Sequence, residues 1–219
     1  MKNKDLKNYI AEFIGTFALV FCGTGAVIVD QQTNGSLGLL GVSLSFGIII
    51  TAMVYVFGNI SGAHINPAIT IGLAFGNLIS KKTLLFYVAF QVLGAITASI
   101  LLKLIFNESL FLGATIPSGT IIQSFIIEFV LTFFLMLTIL GITTQKDKEV
   151  SSLSGLVIGA VVVGFILFSG PISGGSFNPA RSIAPALVSG NLTMLWIFLT
   201  APTIGAIAAM LVWKVLKQK

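Results

Sequence analysis

The chain has 219 residues, 56% of them hydrophobic and only 9% charged, with a mean hydropathy of +1.04 and a formal net charge of +5. Soluble domains carry about 25% charged residues, so a surface this poor in charge excludes a water-soluble globule and makes lipid the solvent. The basic residues stand in short clusters at the ends of apolar runs, with no basic stripe or interleaved aromatic platform, which argues against a nucleic-acid partner.

In chain order, the positively charged MKNKDLKNYI leads into an apolar run from Ile10 to Val29. That run is longer than the apolar region of a secretory signal, and no A-x-A-like cleavage site follows it. Phe21 before Cys22 also spoils a lipoprotein reading, so the run is a first membrane span. A lone cysteine excludes an intrachain disulfide and a multi-cysteine metal site, and Cys22 reads as a small packed or lipid-facing residue.

Spans of about 20 apolar residues are the unit of reading in a bilayer. Six are expected: Asn8 to Val29, Leu37 to Phe57, Thr83 to Phe106, Gly119 to Thr143, Ser151 to Ser169, and Met194 to Leu216. Two shorter segments remain, Asn66 to Gly76 and Asn178 to Val188. As helices each would rise about 16 Å, roughly half the hydrocarbon core, so neither spans alone.

If six spans alternate, Lys2, Lys4, Lys7, Lys81, Lys82, Lys146, Lys148, Lys214, Lys217 and Lys219 all fall on one side. The positive-inside rule makes that side cytoplasmic, with both termini. Lys103 ends the third span on the outer side, where it can snorkel to the interface. KDKE (Lys146 to Glu149) reads as a solvated cytoplasmic turn. Only Arg181 lies well inside the apolar architecture.

The chain repeats itself. AEFIGTF (Ala11 to Phe17) resembles IEFVLTF (Ile127 to Phe133), and ISGAHINPA (Ile60 to Ala68) matches ISGGSFNPA (Ile172 to Ala180). The whole is one transmembrane domain, residues 1–219, with repeats at about 8–106 and 119–216. Each repeat reads span, span, half-span, span. Three crossings are odd, so the second repeat is inverted, an arrangement that places the working site near the midplane. Gly155 and Gly159, and Ala201, Gly205 and Ala209, recur every four residues and favour close helix packing.

Each Asn-Pro-Ala interrupts an apolar run. Proline lacks the amide hydrogen a helix interior needs but is welcome at the first helical position, and asparagine is a strong cap before it. Asn66-Pro67-Ala68 and Asn178-Pro179-Ala180 therefore read as helix starts. The segments before them, Ser61 to His64 and Ser173 to Ser176, are non-helical, which at membrane depth requires burial in protein or a water-filled cavity. Entering from opposite faces, the two half-helices meet N-terminus to N-terminus, each carrying about +0.5 of an elementary charge. Their asparagines cap through the side-chain oxygen and turn NH2 donors to a lumen, where a water oxygen accepting from both cannot extend a proton wire.

Paired NPA motifs, six spans, inverted repeats and the form SFNPARS resemble the aquaporin (major intrinsic protein) family over essentially the whole chain. The resemblance implies an all-α membrane fold: six transmembrane helices and two re-entrant half-helices in a right-handed inverted-repeat bundle. It implies a passive channel for water and small uncharged solutes, a homotetramer in a lipid bilayer, and no cofactor, metal or enzymatic activity. Exclusion of protons and cations by half-helix dipoles and an arginine is the family's known device. By the same resemblance Arg181 is the selectivity arginine, with Phe46, Ile166 and Gly175 completing a narrow outer constriction. Ile166 stands where water-strict members carry histidine, as in archaeal and nodulin-26-like members, and implies passage of glycerol, urea or a neutral metalloid acid. Ser182 stands where glycerol facilitators have aspartate, which counts against that subclass; a strict water channel is the alternative. Glu12 and Glu128, at equivalent repeat positions, either couple protons, as in a secondary transporter, or accept backbone donors from the non-helical loops; the resemblance favours the second. His64 reads as a loop-stabilising hydrogen bonder, with no partner for a metal site or an enzyme.

Overall fold

A computed structural model describes residues 3–217, the side chains from Asp5 onward. Of the lysines expected on the cytoplasmic side, Lys2, Lys219 and the side chain of Lys4 lie outside the described residues. The described residues form helices and no strand: α1 (Asn3–Gln32), α2 (Gly38–Ser61), α3 (Pro67–Phe75), α4 (Lys81–Ile105), α5 (Ile121–Thr143), α6 (Lys148–Ser152), α7 (Ser154–Ser173), α8 (Pro179–Ser189) and α9 (Leu195–Lys217). Six of them, α1, α2, α4, α5, α7 and α9, are long and apolar enough to cross a membrane. With α3 and α8 as half-helices, this is the expected all-α architecture of an integral multi-pass membrane protein.

Two spans end four residues later than expected, for one physical reason. The second span runs to Ser61 rather than Phe57 and the fifth to Ser173 rather than Ser169. Each stops only at a glycine in the left-handed region, Gly62 (φ 90°) and Gly174 (φ 88°), whose N–H closes the last turn on Gly58 O or Gly170 O. The short α6 was not expected. It begins inside KDKE, at Lys148, where Asp147 accepts from the N–H groups of Glu149 and Val150 and so caps it.

Helix pairs approach where a side chain is missing. On the α2–α7 crossing, a methyl at Gly47 would stand 2.7 Å from Gly159 O, and one at Gly159 would stand 2.5 Å from Gly47 O. The glycine pair expected in the fifth span thus opens onto α2, with Gly155 facing Thr51 and Tyr55. A methyl at Gly94 of α4 would stand 2.2 Å from Phe13 O of α1; one at Gly205 of α9 would stand 2.3 Å from Phe129 O of α5. The same contact is therefore built twice, once in each repeat. Outward faces stay apolar and uncovered, as Leu85 (69% exposed) and Ile122 (71%) illustrate, which fits lipid as their solvent.

The far ends of the half-helices are also held twice. Lys103 Nζ donates to Val188 O near the end of α8 (3.1 Å), and Lys214 Nζ donates to Phe75 O at the end of α3 (3.5 Å) while lying over the Phe75 ring. Lys103 lands on a helix C-terminus, where a cation meets the dipole's negative end.

Candidate functional site

The site is assembled by two loops, 62–66 and 174–178, that enter α3 and α8. Their backbones match residue for residue in positive φ: Gly62 with Gly174, Ala63 (46°) with Gly175 (58°), and Ile65 (42°) with Phe177 (52°). A β-branched residue at positive φ is unfavourable and persists only where its surroundings over-determine it. Here Glu12 does so. Its carboxylate accepts from Ser61 Oγ (2.7 Å), His64 N (2.9 Å), Ile65 N (2.7 Å) and Gln91 Nε2 (2.7 Å). Glu128 accepts from Ser173 Oγ (2.7 Å), Ser176 N (2.9 Å) and Phe177 N (2.8 Å). Both glutamates are fully buried, and neither lines the central cavity.

The two Asn-Pro starts are where proline and asparagine physics put them. Pro67 and Pro179 open their helices; Asn66 Oδ1 accepts from Ala68 N (2.9 Å), and Asn178 Oδ1 from Ala180 N (3.0 Å) and, more weakly, Arg181 N (3.4 Å). Ala68 and Ala180 are completely buried, so nothing larger fits behind the caps. The amide groups cross over. Asn66 Nδ2 donates to Phe177 O (2.7 Å) and Asn178 Nδ2 to Ile65 O (2.8 Å), which ties each half-helix start to the other repeat's loop. One hydrogen of each amide is thus spent across the repeat interface, and one remains for the lumen.

A single cavity of about 830 Å³ passes these asparagines. One end reaches Phe46, Ile166, Gly175 and Arg181; the other reaches Lys148, Ser151 and Ser152 of α6. One wall is apolar, from Ile50 and Val54 of α2 and Ile158 and Val162 of α7; the other is the backbone of the two loops. Among the described residues, those lining it include Arg181 and Lys148 but no aspartate or glutamate. Such a lumen offers cations no carboxylate to pair with.

At the first end, the four residues expected together are together. The Arg181 guanidinium lies 5.1 Å from the Phe46 ring centroid, within cation–π range. A methyl on Gly175 would stand 3.5 Å from Ile166 Cγ1. Arg181 Nη1 donates to Gly113 O (2.8 Å), and its buried Nε has no protein partner.

Three supports were missed in the sequence. The carbonyl of Gly113, in the connection between α4 and α5, accepts the Arg181 hydrogen bond. Thr115 of the same connection donates to Ser182 Oγ (2.8 Å), which meets Ser176 Oγ (2.6 Å). Gln91 joins Glu12 to Thr70 Oγ1 (2.9 Å). A buried arginine demands acceptors, but nothing in the residues of 106–120 marks which carbonyl supplies one. His64 is placed by its backbone N–H on Glu12, its Nδ1 3.2 Å from Thr70 Oγ1, and an edge-on Tyr87 ring whose centroid lies 5.1 Å from its own.

Comparison with known proteins agrees with this geometry. Residues 1–213 match the family model described as major intrinsic protein. The chain is 42% identical to aquaporin NIP1-1 of Zea mays, over 93% of this chain and 72% of that one, and 38% identical to nodulin-26 of Glycine max, over 97% and 78%. In three dimensions it resembles the X-ray structure of the aquaglyceroporin from Plasmodium falciparum, with a TM-score of 0.88, 26% identity and 97% of both chains covered. Paired Asn-Pro starts that meet on the wall of one cavity, together with these matches, place the chain in the major intrinsic protein family.

Proposed function

We propose that the protein is a passive transmembrane channel for water and small uncharged solutes that excludes protons and ions. The observation that carries the reading is the pair of asparagine-capped helix starts that meet end to end on one wall of the cavity. Each presents the positive end of a helix dipole and a remaining amide donor. A water beside them is oriented oxygen-first to both, and a cation meets the positive potential of both. Arg181 adds a full charge, which at such depth costs at least about 2.5–3.5 kcal/mol unless solvated or paired; Gly113 O and the Phe46 face supply part of the compensation.

Selectivity is assigned to Phe46, Ile166, Gly175 and Arg181, with Asn66, Pro67, Ala68, Asn178, Pro179 and Ala180 forming the central constriction. An apolar Ile166 beside a residue without a side chain leaves room and an apolar wall for carbon-bearing solutes, so glycerol, urea or neutral metalloid acids pass with water. The names of the matched aquaporins and the aquaglyceroporin support the same class. Glu12 and Glu128 hold the loops: their donor sets and their absence from the cavity lining favour this over proton coupling. No chemical step is assigned. The lysine-rich end is cytoplasmic, with both termini, in the plasma membrane, and the uncovered apolar faces serve a homotetramer.

Stopped-flow light scattering on proteoliposomes, comparing osmotic water flux with a panel of neutral solutes, tests this. Fluxes should be linear in gradient and independent of sodium. Ile166→His should lower solute flux more than water flux. Water flux without uptake of any solute would overturn the solute range.

A further inference from the structure

At the same register in the two loops, two residues before each asparagine cap, stand His64 and Ser176, and the structure uses them differently. The Ser176 hydroxyl is turned into its own loop, donating to Asn178 O (3.0 Å) and meeting Ser182 Oγ. His64 instead faces Thr70, whose Oγ1 is already engaged: it donates to Asn66 O (2.9 Å) and accepts from Gln91 Nε2 (2.9 Å). A threonine hydroxyl has one proton and two lone pairs. With the proton on Asn66 O and one lone pair on Gln91, only an acceptor is left for His64, so Nδ1 is the donor. Nε2 then carries the lone pair. It has no partner among the described residues, it is not closed off from solvent, and His64 lines the cavity.

We infer that His64 is held as the Nδ1–H tautomer and presents Nε2 as a hydrogen-bond acceptor to the lumen, a second selectivity station for hydroxyl-bearing neutral solutes on the lysine-rich side of the asparagine pair. The inference rests on the channel reading above. It gives the pore a polarity: Arg181 and the asparagine amides offer donors, and the imidazole offers a side-chain acceptor for a solute O–H. Protonation of Nε2 would replace that acceptor with a donor, so acidification should act as removal of the station does. The titratable and charged groups around the ring are Glu12 from α1 and Tyr87 from α4; Tyr55 of α2 and Lys148 of α6 line the same cavity, and Arg181 of α8 its far end.

The chain holds one histidine, so 15N-histidine labelling of protein purified without a histidine tag gives one imidazole. NMR in lipid at neutral pH should show a protonated Nδ1 and an unprotonated Nε2; the Nε2–H tautomer would overturn the assignment. In proteoliposomes, His64→Phe should lower the glycerol-to-water permeability ratio by roughly threefold to tenfold, the scale of one neutral hydrogen bond. His64→Gln, which keeps an acceptor that does not titrate, should retain the ratio and lose its fall at acid pH. An unchanged ratio in His64→Phe, or a persistent acid fall in His64→Gln, would overturn the station. If the unaltered channel passes water and no solute, the solute range fails, while the spectrum still decides the tautomer.

Discussion

The two repeats build one scaffold and then fill it with different chemistry. The shared part is the part backbone demands: a glutamate under each loop, a left-handed glycine before it, an asparagine cap, a glycine at each close helix crossing, and a lysine on each half-helix end. The lumen-facing part diverges. Where the second repeat has Arg181, three residues past its cap, the first has Ile69; where it has Gly175, the first has Ala63; Ser176 corresponds to His64. The Glu12 carboxylate has a fourth donor, Gln91, and Glu128 has three. Folding thus constrains the symmetric positions, and selectivity is free to occupy the asymmetric ones.

The largest expected effect is loss of a glutamate. Glu12→Ala orphans four donors and Glu128→Ala three; at about 1–3 kcal/mol for each buried group left unpaired, either approaches the 5–15 kcal/mol stability of a typical domain. Size-exclusion profiles and thermal melts in detergent should show Glu12→Ala the worse; the reverse order would break the scaffold equivalence. Next comes the asymmetric charge. Arg181→Val gives the second repeat an apolar residue like Ile69, and planar-bilayer recordings should show cation or proton leak rising by roughly tenfold or more as one positive barrier is removed. No leak would mean that the facing helix ends suffice alone.

Gly175→Ala is gentler and sharper. Ala63 already holds a Cβ in the matching left-handed conformation, and the new methyl would meet Ser169 Oγ at 3.2 Å and Ile166 Cγ1 at 3.5 Å. The fold should lose about 1 kcal/mol, while glycerol flux in the swelling assay falls several-fold more than water flux. Equal losses in both fluxes would point to general damage instead of narrowing. The smallest effect belongs to the lysines. Lys103→Met and Lys214→Met should each cost about 0.3–1 kcal/mol, the worth of a cation at a helix C-terminus, read as small and similar shifts in thermal midpoint. A large difference between them would show that the two half-helix ends are not equivalent.

Much of the scaffold was legible because it follows from local rules and from repetition. Charge fraction dictated lipid, run length dictated spans, and Asn-Pro dictated two helix starts whatever lay around them. The tips of the second and fifth spans were read short, because a glycine C-cap lets a helix continue into a stretch that looks like loop. KDKE is expected as a turn but opens into α6, although Asp147 is a capping residue, because a five-residue helix leaves almost no periodicity to detect.

By itself, then, the sequence determined the medium, the number of crossings, the inversion and the two facing helix starts, since these depend on hydropathy, spacing and the covalent character of proline. Tertiary structure alone decided who completes each buried polar group. Gly113 for Arg181, Gln91 for Glu12 and Thr70, and the crossed asparagine amides are contacts between residues distant in sequence, and backbone carbonyls carry no residue-specific mark. HINPA and SFNPA look like two copies of one motif. Folding made them different by giving Ser176 a partner inside its loop and leaving one nitrogen of His64 without one.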